Sequence, residues 1–131
     1  MAGWSTHIGM AVCVPQANID TDQLIPARFM SMPRAQGYGR FLLHDMRREE
    51  AGDLKADFPL NAQDGMSVLI AGRNFCSGSS REAAVYALVD SGIRAVFAPS
   101  FGDIFASNAV NNGLLPAPID EAPYETLSHT F

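Results

Sequence analysis

Between Ser67 and Ala98 the chain spells out a strand, a turn, a helix and a second strand, and that order leaves little freedom in how the pieces can pack. Ser67-Val68-Leu69-Ile70-Ala71-Gly72 is a short apolar run rich in β-formers, which suits a buried strand. A Gly/Ser-rich turn from Asn74 to Ser80 follows. Arg81 to Asp90 are good helix formers and set Val85, Leu88 and Val89 on one face. Ser91-Gly92 stops this helix, because glycine enters the left-handed cap conformation without steric cost. Ile93 to Ala98 is the second buried run. Together they form a βαβ unit, which implies parallel strands joined by a right-handed crossover. Pro99-Ser100 leads into a second helix over 101–112, ended by Asn111-Asn112-Gly113, and Leu114-Leu115-Pro116 reads as a third short strand. The expected fold is α/β, with a βαβ core and short parallel strands flanked by helices.

The flanks are less patterned. Residues 6–30 carry the apolar run Ile8 to Val14, then the polar turn Asn18-Ile19-Asp20-Thr21-Asp22. Pro15 and Pro26 are expected to keep this block extended or turning, not helical. Residues 31–65, rich in Gly, Pro and charge, read as a long surface loop with one short helix at 41–50; a loop of that length is usually functional. The stretch from Asp120 to Phe131 shows little core pattern.

With 131 residues, 47% of them hydrophobic and 18% charged, the chain is expected to form one globular domain over 1–131. A net charge of −5 argues against a nucleic-acid binder, which needs a basic patch. The basic residues are eight Arg and one Lys. Arg grips carboxylates with a planar fork, although compositional habit explains the bias equally well. No apolar run approaches the roughly 20 residues of a membrane span, and Met1 to Met10 lacks the pattern of a secretory signal. Cys13 and Cys76 form no Cys-x-x-Cys pair, so a reducing cytoplasm is the expected compartment. Two Cys and three scattered His (His7, His44, His129) do not supply the thiolate set of an iron–sulfur cluster, and any cluster would have to be carried by another chain.

The segment richest in chemistry runs from Gly72 to Glu82, where a strand ends and a helix begins. The free N–H groups and partial positive charge of a helix's first turn hold anions well. Gly78 allows close approach, Ser79 or Ser80 can cap the helix, and Arg81 projects from its first turn. A carboxylate there could take backbone, hydroxyl and guanidinium bonds together. The segment is neither a Walker loop, nor a dinucleotide-binding pattern, nor a nucleophile elbow. An N-capping Ser pair with Glu82 as capping-box partner explains the spacing as well as anion binding does.

The same segment resembles the G-S-S-R-E-H-A signature of the aconitase superfamily swivelling domain, a β/β/α unit. Three further segments resemble the isopropylmalate dehydratase small-subunit family, in the right order. They are Asn18 to Pro26, then Arg34 to Arg47 with its Gly37-Tyr38-Gly39 and Asp45-Met46-Arg47, then Ala98 to Phe105 with Asn108 and Asn112 to Pro116. The resemblance implies a hydro-lyase that moves water across a carbon–carbon double bond in a small dicarboxylate such as isopropylmalate, as in leucine biosynthesis. It implies a large-subunit partner holding a 4Fe-4S cluster whose open iron binds the substrate hydroxyl. Carried over, Ser79 is the general base, Ser80 and Arg81 hold the substrate carboxylate, Arg34 helps to choose the substrate side chain, and Asp22 orients the site. A solvated loop charge accounts for Arg34 equally well, and turn bracing accounts better for Asp20 and Asp22.

The chain departs from that pattern at several points. Ala83 stands where the family has His, Ser77 replaces a residue that is often Cys or Thr, and Cys76 replaces the usual Gly, which implies strain if that position needs φ > 0. The family continues past the third strand with further helices. Two alternatives remain beside the isopropylmalate reading: a small subunit serving another malate-type acid, and a diverged, non-catalytic anion-binding partner. A thiol beside a helix start can be reactive, but no His or Lys neighbours Cys76 in sequence to activate it.

Overall fold

The computed structural model describes residues 9–14, 16–29, 37–48, 53–55, 66–77, 82–102 and 105–130. Four strands, β1 (Met10–Val14), β2 (Met66–Ala71), β3 (Ala95–Ala98) and β4 (Leu115–Pro118), form one sheet in the order β1-β2-β3-β4. All three pairings are parallel, so the βαβ reading of residues 67–98 holds and the fold is α/β. Among the described residues, four α-helices accompany the sheet: α1 (Thr21–Leu24), α2 (Glu82–Asp90), α3 (Phe105–Asn111) and α4 (Glu121–Thr130). None of the described helices is long and apolar enough to cross a membrane.

Strand alternation divides the sheet into two faces. Val12, Val14, Leu69, Ala71, Val96 and Ala98 point into the main core, where they meet Ala84, Val85, Ala87 and Leu88 of α2 and Phe105 and Ala109 of α3. Cys13, Ile70, Phe97 and Ala117 form a registered row on the opposite face. Burial of Cys13 and Ile70 there goes with α4, whose Tyr124 lies within electrostatic reach of Cys13. Residues 121–130 are therefore a helix with a covering role, which the weak apolar pattern of the tail did not announce.

Two other segments depart from expectation. Within 6–30, one helical turn forms at Thr21–Leu24 because a capping box starts it: Gln23 N donates to Asp20 Oδ1 at 2.8 Å and Asp20 N donates to Gln23 Oε1 at 2.9 Å. Asp20 thus braces its own turn. Within 31–65, the helix expected at 41–50 is replaced by a 3-10 turn at Gly39–Phe41 and further turns to Arg47. These are not a surface loop: Tyr38, Phe41, Leu42 and Leu43 are all buried, and Leu43 N donates to Leu24 O at 2.9 Å. The apolar triplet Phe41-Leu42-Leu43 outweighs the Gly and charge around it.

The outer edge of β4 has an unusual composition. Leu115 N and Ile119 N donate inward to Arg94 O and Ala98 O, so alternation turns positions 116 and 118 outward, and both are proline.

Candidate functional site

The chain leaves β1, β2 and β3 at the same end of the sheet, where open parallel sheets bind ligands. There the three exit segments are stitched to one another. Asp20 bridges Ser77 and Phe75 bridges Phe101, both in parallel fashion, extending the sheet's pairing beyond its strands. Cys76 N donates to Ile19 O at 2.7 Å, Thr21 N to Ser77 O at 3.0 Å, Phe75 N to Ser100 O at 3.1 Å and Gly102 N to Phe75 O at 2.8 Å. Asn74 adds side-chain stitches, its Nδ2 donating to Asn18 Oδ1 at 3.0 Å and its N to Ser100 Oγ at 2.9 Å. Beneath, Phe75 packs edge-on against Phe101 and Phe105. The result is a cross-stitched platform made of the segments 18–21, 73–77 and 100–102.

Building this platform forces the backbone into uncommon shapes. Asn18, Asn74 and Cys76 have φ of 59°, 57° and 60°. Asparagine enters this left-handed region readily, whereas a cysteine there is strained. The conditional expectation for Cys76 is thereby met. Gly102 passes so close below that a Cβ on it would lie 2.2 Å from Cys76 O, so only glycine fits. Burial, and secondarily the Asp20 carboxylate, push the Cys76 thiol up to about 12. Burial also raises the Cys13 thiol.

Of the residues singled out for chemistry, Asp22 lies in the first turn of α1 with an exposed side chain, next to the Thr21 amide that binds Ser77 O. Ser79, Ser80, Arg81 and Arg34 lie outside the described residues. Ala83, where the family pattern has His, packs against the core. Glu82, expected as a capping partner, accepts a hydrogen bond from Tyr86 Oη at 2.7 Å and one from Asn112 Nδ2 at 3.4 Å. That tie joins the start of α2 to the end of α3. The i, i+4 spacing of Glu82 and Tyr86 was the available signal for it. A second cluster, unannounced by any motif, joins Arg28 and Phe29 to Phe41, His44 and Asp45. Hydrogen bonds from Arg28 first, and from His44 second, hold the Asp45 carboxyl down to about 2.

The same residues can be tested against an iron–sulfur cluster. Among those described, no group of three or more His, Cys, Asp or Glu is disposed to hold a metal ion. Both cysteines are free, buried and raised in pKa, so neither offers a ready thiolate. The described residues do not fit such a cluster.

Residues 1–122 match the aconitase C-terminal domain family. The chain is 48% identical over 131 residues to the 3-isopropylmalate dehydratase small subunit of Shewanella amazonensis, covering 97% of this chain and 65% of that protein. It is 50% identical over 125 residues to the 3-isopropylmalate dehydratase small subunit of Chloroflexus aurantiacus, covering 94% and 62%. It superposes on the crystal structure of 3-isopropylmalate dehydratase from Methanocaldococcus jannaschii with a TM-score of 0.67 at 35% identity, over 87% of this chain and 62% of that one. The chain thus spans a little under two thirds of the length of these relatives. The parallel sheet, the stitched strand ends and a match that runs through nearly every residue agree: the chain belongs to the aconitase C-terminal domain family.

Proposed function

We propose that the chain works as the small, swivelling subunit of a cytoplasmic 3-isopropylmalate dehydratase, a single domain that interconverts 2- and 3-isopropylmalate in leucine biosynthesis only together with a large subunit. The observation that carries this reading is the stitched platform at the strand ends, because a base segment needs a rigid launch point to reach substrate held by another chain. The 48–50% identity to dehydratase small subunits supports the choice of substrate. The 4Fe-4S cluster, for which the described residues offer no fitting set, belongs in this reading to the large subunit.

In the proposed division of labour, Ser79 Oγ removes the proton beside a substrate carboxylate, and Ser80 and Arg81 bind that carboxylate. A serine hydroxyl is a weak base, so it requires positive charge and donors nearby, which Arg81 and the start of α2 would supply. Arg34 selects the substrate side chain, and Asp22 orients the site from α1.

The test is anaerobic assay of the chain co-purified with a large subunit. Ser79→Ala is expected to leave the assembly intact and to lower kcat about 10²- to 10⁴-fold, the usual weight of a general base. Turnover of isopropylmalate absent in the wild-type assembly, but present with another malate-type acid, would reassign the substrate. A non-catalytic, anion-binding partner is the second reading, favoured by the strained Cys76 and by a half-buried Ala83 where the family pattern has His. Unchanged turnover in Ser79→Ala would select it.

A further inference from the structure

Asn18 and Asn74 meet where the chain leaves β1 and β2. Asn74 Nδ2 donates to Asn18 Oδ1 at 3.0 Å, and Asn18 N donates to Arg73 O at 2.8 Å. Both asparagines are exposed and stand in the left-handed region, at φ of 59° and 57°. Glycine meets that backbone demand at no steric cost, so conformation alone does not call for asparagine at either position. What asparagine adds is the amide-to-amide bond. Asn74 also reaches the third exit, because its N donates to Ser100 Oγ at 2.9 Å. Side chain and main chain of this one residue thus hold the exits of β1 and β3 to that of β2.

The β1 exit leads straight into α1. Ile19 O accepts from Cys76 N at 2.7 Å and from Ser77 N at 3.2 Å, and Thr21 N donates to Ser77 O at 3.0 Å. The bond between the asparagines is the first rung of this series. At the far end of α1, Leu24 is buried and its O accepts from Leu43 N. Gln23 is held in the capping box with Asp20, and Asp22 is exposed at the ligand-binding end of the sheet. A helix of one turn has little stability of its own, so its place is set by what holds its ends. We infer that the Asn18–Asn74 bond registers the β1 exit on the β2 exit and thereby sets where α1 presents Asp22. Asn18 and Asn74 are on this account positioning residues that touch no substrate. The inference rests on the orienting role of Asp22 proposed above and deepens it.

Hydrogen exchange on the full chain tests the bond without any assay of turnover. Asn74→Gly keeps the left-handed backbone and the bond to Ser100, and removes only the amide side chain. The amides of Thr21, Cys76 and Ser77 are expected to exchange about fivefold faster in it, those of β2, β3 and α2 at the wild-type rate. Asn18→Gly should act alike, and the double variant should be no faster than either single one, because each removes the same bond. Asn18→Asp keeps the accepting oxygen and a tolerance for positive φ, and should exchange as the wild type does. In the assembly with a large subunit, Asn74→Gly should lower kcat/KM for isopropylmalate about fivefold, and that loss should vanish in an Asp22→Asn background. Additive acceleration by the two glycines would overturn the bond, since it reports backbone freedom alone. Wild-type exchange in both single variants would overturn it too, as would acceleration spread through the sheet, which marks a merely structural role. Local, non-additive acceleration with kcat/KM unchanged, or lowered equally with and without Asp22, would support the bond and overturn its link to Asp22. The same acceleration in a chain whose wild-type assembly shows no turnover would support the bond and overturn the dehydratase reading beneath it.

Discussion

Cys76 holds a backbone shape that favours glycine, and the glycine that is needed lies beneath it at Gly102. The carbonyl of Cys76 fills the space a Gly102 side chain would occupy, so the two positions are solved as a pair. With its thiol pushed up to about 12, Cys76 is protonated at every ordinary pH and is a packing group, not a nucleophile. Iodoacetamide at pH 8 is expected to leave Cys13 and Cys76 unlabelled in the native chain and to label both after denaturation, as read by intact mass. At Asp45 the sign runs the other way. Its carboxyl is held down to about 2, below the ordinary value near 4 of an unfolded chain, so its contribution is present above that ordinary value and is lost as pH falls towards 2. Because the side chain is 56% exposed the effect is small. Asp45→Asn should lower Tm by about 1–3 °C at pH 7, and the gap should close between about pH 4 and pH 2.

Among the elements, the segment 37–48 shows where composition misleads. Glycine and charge mark it as a loop, yet Leu42 and Leu43 are fully buried beside Leu24 and α2. Leu43→Ala is expected to cost about 2–5 kcal/mol, as for a central core residue, whereas an exposed loop leucine would cost less than about 0.5. Urea denaturation with an unchanged m value distinguishes the two. The strands and α2 were legible because their apolar periods are local, within reach of a short window. The one-turn helix α1 was missed although its signal was also local: Asp20 and Gln23 carry the capping-box spacing, and the nearby prolines outweighed it. Helix α4 was missed for a different reason. Its covering role depends on Cys13 and Ile70, more than fifty residues upstream, and a helix that half-covers a sheet face needs few apolar side chains of its own.

At the scale of the whole molecule, the platform is a long-range construction. Asn18 pairs with Arg73, Ile19 with Cys76 and Ser77, and Phe75 with Ser100 and Gly102. No window of sequence contains both partners of the first two sets, so residue types could suggest a site but not the stitching that makes it rigid. Arg73 also reaches Glu121 at 3.7 Å, which ties the platform to α4 on the far face of the sheet. The two prolines of β4 act on the same scale. A neighbouring strand seeking main-chain partners along that rim would meet carbonyls but, at 116 and 118, no amide hydrogens to donate. With two of its outward donors missing, that border of the sheet is a poor template for a further strand, which blunts edge-to-edge aggregation there.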